Sequence, residues 1–124
     1  MELHKLSFCK IKKLSDSIAE VIVHEGKEVD LEMVAEYHQW ITENLSAPCG
    51  LLINKVNKYA YAFEAQLKIA DLPKIRAVAV IAYNRISAVS SLALTKLPGQ
   101  EQWNIKMFSD RTDGLEWLEG ELDK

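Results

Sequence analysis

Apolar and polar positions along the 124-residue chain fall into segments of two different periods. From Leu3 to Lys12 the alternation is imperfect, with Leu6 and Phe8 on one face and Cys9 and Ile11 breaking toward the other, which predicts a strand. Leu14-Ser15-Asp16-Ser17 is a turn-like cluster, and Ile18 to Glu25 is rich in β-branched residues. The two stretches predict an antiparallel hairpin whose second strand ends at Gly26-Lys27. Asp30 then suits a helix N-cap, with Val29 and Val34 placed to form a hydrophobic staple. Leu31, Val34, Ala35, His38, Ile41 and Leu45 recur at helical spacing, and Met33, Tyr37 and Trp40 form a second stripe beside them. A face this broad must cover much of a sheet or also meet a partner, so Met33, Tyr37 and Trp40 are the candidate partner face. Ser46-Ala47-Pro48 stops the helix.

Cys49 to Ile53 is short and nearly all apolar, the pattern of a strand buried on both faces. An Asn-Lys-rich break over Asn54 to Lys58 follows. Tyr59, Phe63 and Leu67, with Ala62, Ala65 and Ile69, predict a second helix up to Asp71-Leu72-Pro73. Ile75 to Tyr83 has no polar alternation after Arg76 and predicts a central strand. Asn84 can cap a third helix through Leu97, closed by Pro98-Gly99, and Trp103 to Phe108 alternates as an edge strand does. Ser109 or Asp110 then caps a last helix with Leu115, Leu118 and Leu122 in one line and Trp117 beside it.

The order is strand, strand, helix, then strand-helix three times, with no repeat or linker to divide residues 1–124. It predicts a single α/β domain: a mostly parallel five-stranded sheet, an N-terminal antiparallel hairpin and about four helices. The apolar share of 48% and charged share of 27% are those of a folded globular chain. A net charge of -3 offers no long-range attraction to phosphate backbones, so nucleic acid is not an expected partner. No apolar run approaches the roughly 18 residues of a membrane span, and no signal-peptide pattern opens the chain, so a cytoplasmic protein is expected. Cys9 and Cys49 lie in apolar strand-like stretches, where a thiol acts as a small buried hydrophobe.

This order resembles the SpoIIAA-like superfamily: the STAS domains of anti-sigma-factor antagonists and related small bacterial proteins, with lipid-binding CRAL-TRIO domains as more distant relatives. The local piece that carries the resemblance is Met107-Phe108-Ser109-Asp110-Arg111-Thr112-Asp113-Gly114-Leu115-Glu116-Trp117-Leu118. It is similar to the strand, aromatic, polar cap and Trp-containing helix that close many STAS-like sequences. The resemblance implies the order ββαβαβαβα and a non-enzymatic, regulatory protein-interaction module. In the antagonists a phosphorylated serine follows the middle strand; the matching stretch here, Asn54 to Tyr59, holds no serine, threonine or glycine. Only Asn54 corresponds to the leading Asp of that motif, no phosphoacceptor carries over, and two lysines in its place favour an anionic group.

No catalytic, cofactor or metal motif is present. His4, His24 and His38 lack metal-ligand spacing, and Ser87, Ser90 and Ser91 sit at helical positions without an adjacent base. The five glycines form neither a dinucleotide-binding nor a Walker arrangement. No enzyme and no cofactor are therefore expected. In a parallel sheet the strand carboxyl ends share one edge, and the junction from Cys49 to Phe63 is the first place to seek a site. The candidate binding rim comprises Asn54, Lys55, Asn57, Lys58, Asn84, Arg85, Ser109, Asp110 and Arg111. The expected function is an interaction module binding another protein or a second copy of the chain; the alternative is a carrier of an anionic or lipid-like ligand at that rim.

Overall fold

The computed structural model describes residues 2–83 and 103–124. Strand β1 (Glu2–Lys5) runs antiparallel to β2 (Cys9–Lys13), which pairs antiparallel with β3 (Ile18–Val23). The single strand expected over Leu3 to Lys12 is therefore two. The irregularity at Leu6, Ser7 and Phe8 is a tight turn, closed by the Leu6 amide donating to the Cys9 carbonyl at 2.9 Å and anchored by the buried Phe8 ring. The turn predicted at Leu14 to Ser17 is present, its Ser15 hydroxyl accepting from the amides of Ser17 (3.3 Å) and Ile18 (3.1 Å).

Gly26, at φ 78°, turns the chain through the left-handed region into the short strand β4 (Glu28–Val29). Helix α1 (Leu31–Asn44) starts where predicted: the Asp30 carboxylate accepts from the Met33 amide at 2.9 Å, and Val29 and Val34 both enter the core. Its second stripe is not open to a partner. Tyr37 is 3% and Trp40 6% exposed, and Met33 packs half-buried against the same cluster. The extra strand β1 is the physical reason, because it widens the sheet beneath the helix and sets the His4 ring edge-on to Trp40 at 5.2 Å.

Strand β5 (Cys49–Lys55) reaches two residues beyond the predicted Ile53, so Asn54 and Lys55 belong to the sheet and not to a break. It pairs in parallel with β3 and with β7 (Ile75–Ala82), and β7 pairs in parallel with β8 (Ile105–Phe108). The helix expected from Tyr59 to Asp71 is reduced to one turn, α2 (Phe63–Gln66). Tyr59 to Ala62 is extended instead: β6 (Ala60–Tyr61) pairs with β4, and the amides of Ala60 and Ala62 donate to the carbonyls of Lys27 (3.0 Å) and Val29 (2.8 Å). That long-range pairing, with the Tyr59 and Tyr61 rings packed on the core, outweighs the local helical spacing. The helix predicted from Asn84 to Leu97 lies outside the described residues. Helix α3 (Arg111–Leu122) ends the chain, with Asp110 as its N-cap accepting from the Thr112 amide at 3.1 Å.

The main sheet has the order β1-β2-β3-β5-β7-β8, six strands where five were predicted, and three helices are present among the described residues. The antiparallel start and the parallel remainder match expectation. Helix α1 covers one face over Ile11, Val21, Leu51 and Val80, while α3 covers the other over Ile18, Leu52, Ala77, Ala79 and Ile81. Successive β5 residues thus feed different cores. Close approach of α3 depends on Gly114, where an added Cβ would lie 2.6 Å from Ile81 Cδ1 and 3.3 Å from Leu52 Cδ1.

Gly114→Ala should therefore lower stability in urea denaturation by about 1 kcal/mol, the overpacking outweighing the gain in helix propensity. At Gly120, where a Cβ would meet nothing within 4 Å, the same change should raise it by roughly 0.5–1 kcal/mol.

Candidate functional site

Parallel pairing brings the carboxyl ends of β3, β5, β7 and β8 to one edge, where α3 begins. On the α3 face, strand alternation that turns Ile18 and Leu52 inward also turns Glu20 and Asn54 inward. Glu20 is 2% exposed. Its carboxylate accepts from Asn54 Nδ2 at 2.7 Å and, in a two-pronged contact, from Arg111 Nε at 3.1 Å and Nη2 at 2.8 Å. Burial pushes the Glu20 carboxyl up, but the hydrogen bonds from Arg111 and Asn54, with the charges of Arg111 and Lys12, outweigh it and hold the group below its ordinary value. An acid so stabilised as the anion is a poor proton acceptor near neutrality, so the cluster acts as a clamp joining β3, β5 and the start of α3. Only an amide N–H can face the carboxylate, which leaves the buried Asn54 Oδ1 without a hydrogen-bond partner among the described residues.

Lys55 projects to the opposite face. Although it sits at the predicted rim, it is 6% exposed, and its ammonium lies 4.7 Å from the centre of the Tyr59 ring. Desolvation by burial lowers its pKa. Among the described residues it has no carboxylate partner. It lines an apolar cavity of about 40 Å³ together with Tyr37, Tyr59, Tyr61, Ile53 and Val80. The Tyr59 and Tyr61 hydroxyls lie 3.4 Å apart, and burial raises the pKa of all three tyrosines, so they stay protonated as donors.

The nine rim residues do not form one surface. Asn54 and Arg111 belong to the α3-face clamp and Lys55 to the α1-face cavity, because neighbouring residues of a strand point to opposite faces. The Asn57 amide donates to the Val23 carbonyl at 3.0 Å, pinning the loop. Lys58 and Ser109 are exposed, Asp110 is the cap of α3, and Asn84 and Arg85 lie outside the described residues, as do Ser87, Ser90 and Ser91. His38 Nε2 is hydrogen-bonded to the Ile69 carbonyl at 2.9 Å, and Trp117 packs on Phe108 with ring centres 5.7 Å apart. Burial pushes the Cys9 thiol up to about 12 and the Cys49 thiol up to about 11, as suits inert core thiols. Among the described residues no group of three His, Cys, Asp or Glu is placed to hold a metal, and no helix is long and apolar enough to cross a membrane. A larger open cavity of about 210 Å³ lies at the amino ends of β7 and β8, but its charged residues, Asp71 and Arg76, are exposed.

Sequence reading missed Glu20 and Tyr61, read Tyr59 as a helical position and assigned Tyr37 to a partner face and not to a cavity. A carboxylate inside the apolar run Ile18-Ala19-Glu20-Val21 was the available signal, since a charge in a buried strand must find a partner. No comparable signal marked Tyr59 and Tyr61, whose spacing fitted a helix as well as a strand.

Two substitutions separate the clusters. Arg111→Met should cost about 2 kcal/mol near neutral pH by stranding the Glu20 carboxylate, a figure set below the usual buried-pair loss because the guanidinium is partly solvated. The Glu20 pKa is depressed, so its contribution is fully present above the ordinary 4.5 and fades as pH falls through the folded value; the gap between wild type and variant should narrow on acidification. Lys55→Met should instead raise stability by about 1–2 kcal/mol, measured the same way, because it removes a desolvated charge.

No protein-family model matches the chain, and no curated protein does. Among solved structures it is similar to an uncharacterised protein of the DUF3478 family from Shewanella loihica PV-4, described as having a SpoIIAA-like fold. The TM-score is 0.54 at 15% sequence identity, over 89% of this chain and 91% of that one. With a six-stranded mixed sheet, an antiparallel start and parallel strands thereafter, the chain has a SpoIIAA-like α/β fold.

Proposed function

We propose that the protein is a non-enzymatic, cytoplasmic interaction module that binds another protein through the strand-carboxyl edge of its sheet. The observation that carries this reading is where its exposed apolar side chains lie. Of the five large hydrophobic residues exposed among the described residues, Leu31 (48%), Val56 (56%), Phe63 (64%) and Tyr83 (51%) all follow the carboxyl end of a strand, respectively β4, β5, β6 and β7. Isolated exposed apolar residues need no explanation, but Val56 and Tyr83 follow neighbouring strands of the main sheet and Leu31 and Phe63 follow the paired strands β4 and β6, which together offer apolar surface that a protein partner can cover. It replaces the Met33, Tyr37 and Trp40 stripe, which the core already uses.

The carrier alternative loses its original basis, because Lys55 and Arg111 do not share a cationic rim and Arg111 is paired with Glu20. Absence of a phosphoacceptor between Asn54 and Tyr59 favours constitutive binding over a serine phosphoswitch at that loop.

The expected outcome is a partner captured from native-cell extract by the wild-type chain and lost by Val56→Asp/Phe63→Asp, with the far-ultraviolet dichroism of the variant unchanged. Light scattering at micromolar concentration tests whether the partner is a second copy. Capture of nothing by the wild type, together with a monomer in scattering, or equal capture by the variant, would overturn the reading.

A further inference from the structure

The few polar groups that the described residues bring to the apolar cavity beside Lys55 are donors, with no charged acceptor among them. The ammonium carries three N–H donors and, among the described residues, is answered only by the face of the Tyr59 ring at 4.7 Å. The Tyr59 and Tyr61 hydroxyls share one long contact of 3.4 Å, so at most one of their two O–H groups is engaged by the other. Tyr37 lines the same cavity, and among the described residues its hydroxyl has no hydrogen-bond partner. Among the described residues no carboxylate lines the cavity, and the rest of the wall they form is aliphatic. Buried charges are ordinarily paired, and the buried Glu20 carboxylate of this same chain is. The complement of several donors around an unpaired ammonium is a group with several acceptors and one negative charge.

Size narrows the class. A cavity of about 40 Å³ has room for about three water-sized groups, which is the size of a carboxylate. A second cavity of about 20 Å³ shares Tyr37, Ile53, Tyr61 and Ile69 with the first and is otherwise walled by Phe8, Val21 and Val23. It is apolar and lies across those four shared side chains from the first, so a short hydrocarbon stub reaches it by displacing one of them, and a long chain has no room.

We propose that the Lys55 cavity binds a small monocarboxylate of about two to four carbons, its oxygens held by the Lys55 ammonium and by the hydroxyls of Tyr37 and the Tyr59–Tyr61 pair, with its alkyl end among Ile53, Phe8 and Val21. The cavity adjoins the apolar edge, since Lys55 precedes Val56 and Tyr61 lies two residues before Phe63, but it is read by ligand-induced shifts and not by partner capture, so either reading can fail without the other.

The test is a titration of the full chain with propionate, followed by methyl NMR at Ile53, Val78 and Val80, with propionamide as the neutral isostere and octanoate as the long-chain acid. Saturable shifts with propionate at millimolar concentration are expected, at least ten-fold weaker with propionamide and in Lys55→Met, and several-fold weaker in Tyr37→Phe, which keeps the ring and removes one donor. Three results would overturn the proposal: no saturable shift by about 50 mM propionate, equal binding of the amide, or unchanged binding in a folded Lys55→Met chain. Tighter binding of octanoate than of propionate would overturn the assignment to a short acid and point to a lipid-derived carboxylate.

Discussion

Burial of the central strands on both faces is the constraint from which the rest of the structure follows. β5 and β7 each lie between two parallel neighbours, with α1 packed on one side and α3 on the other, so beyond Arg76 at the amino end of β7 neither strand has a wet face on which to place a polar side chain. Leu51 and Val80 feed one core, Leu52, Ala79 and Ile81 the other. The α3 side is the tighter. Ala77 and Ala79 on the sheet and Gly114 on the helix remove the bulk that would otherwise hold the layers apart.

The same constraint decides what happens where β5 leaves the core. Asn54 and Lys55 are consecutive, so the pleat sends them to opposite faces, and both are buried there. Each face answers its polar group differently. On the α3 side the first turn of the helix brings Arg111 to Glu20, and the Asn54 amide completes a network in which the carboxylate has three donors. On the α1 side no acid is available among the described residues, and the ammonium rests against the Tyr59 ring. The first solution ties three elements together and leaves little chemistry free. The second leaves an uncompensated charge in an apolar cavity, a common precondition of a binding site.

Outside the core, the edge is dressed by connections and not by the helix face that sequence periodicity singled out. α1 presents two apolar stripes because it lies on a sheet widened by β1 and beside the small β4–β6 sheet; a broad stripe measures the area to be covered within the chain. The exposed Val56 lies in a short loop and Phe63 opens the one-turn α2, where no periodicity distinguishes them from buried neighbours.

Local chemistry was enough to determine α1 with its Asp30 cap, the start of α3 at Ser109 or Asp110, β7 with its apolar run after Arg76, and the order of antiparallel hairpin followed by parallel strands. In each case the signal is a period or a cap whose partners lie within a few residues. Tertiary structure alone decided the division of Leu3 to Lys12 into two strands, the extended conformation of Tyr59 to Ala62 and the partners of residues 54 and 55. Those outcomes rest on pairings between positions far apart in the chain: His4 with Ile11 and Trp40, Val29 with Tyr61, Glu20 with Arg111. A sequence shows that Glu20 and Lys55 each carry a charge into an apolar strand; only the packed layers determine that the first meets a guanidinium and the second an aromatic cavity.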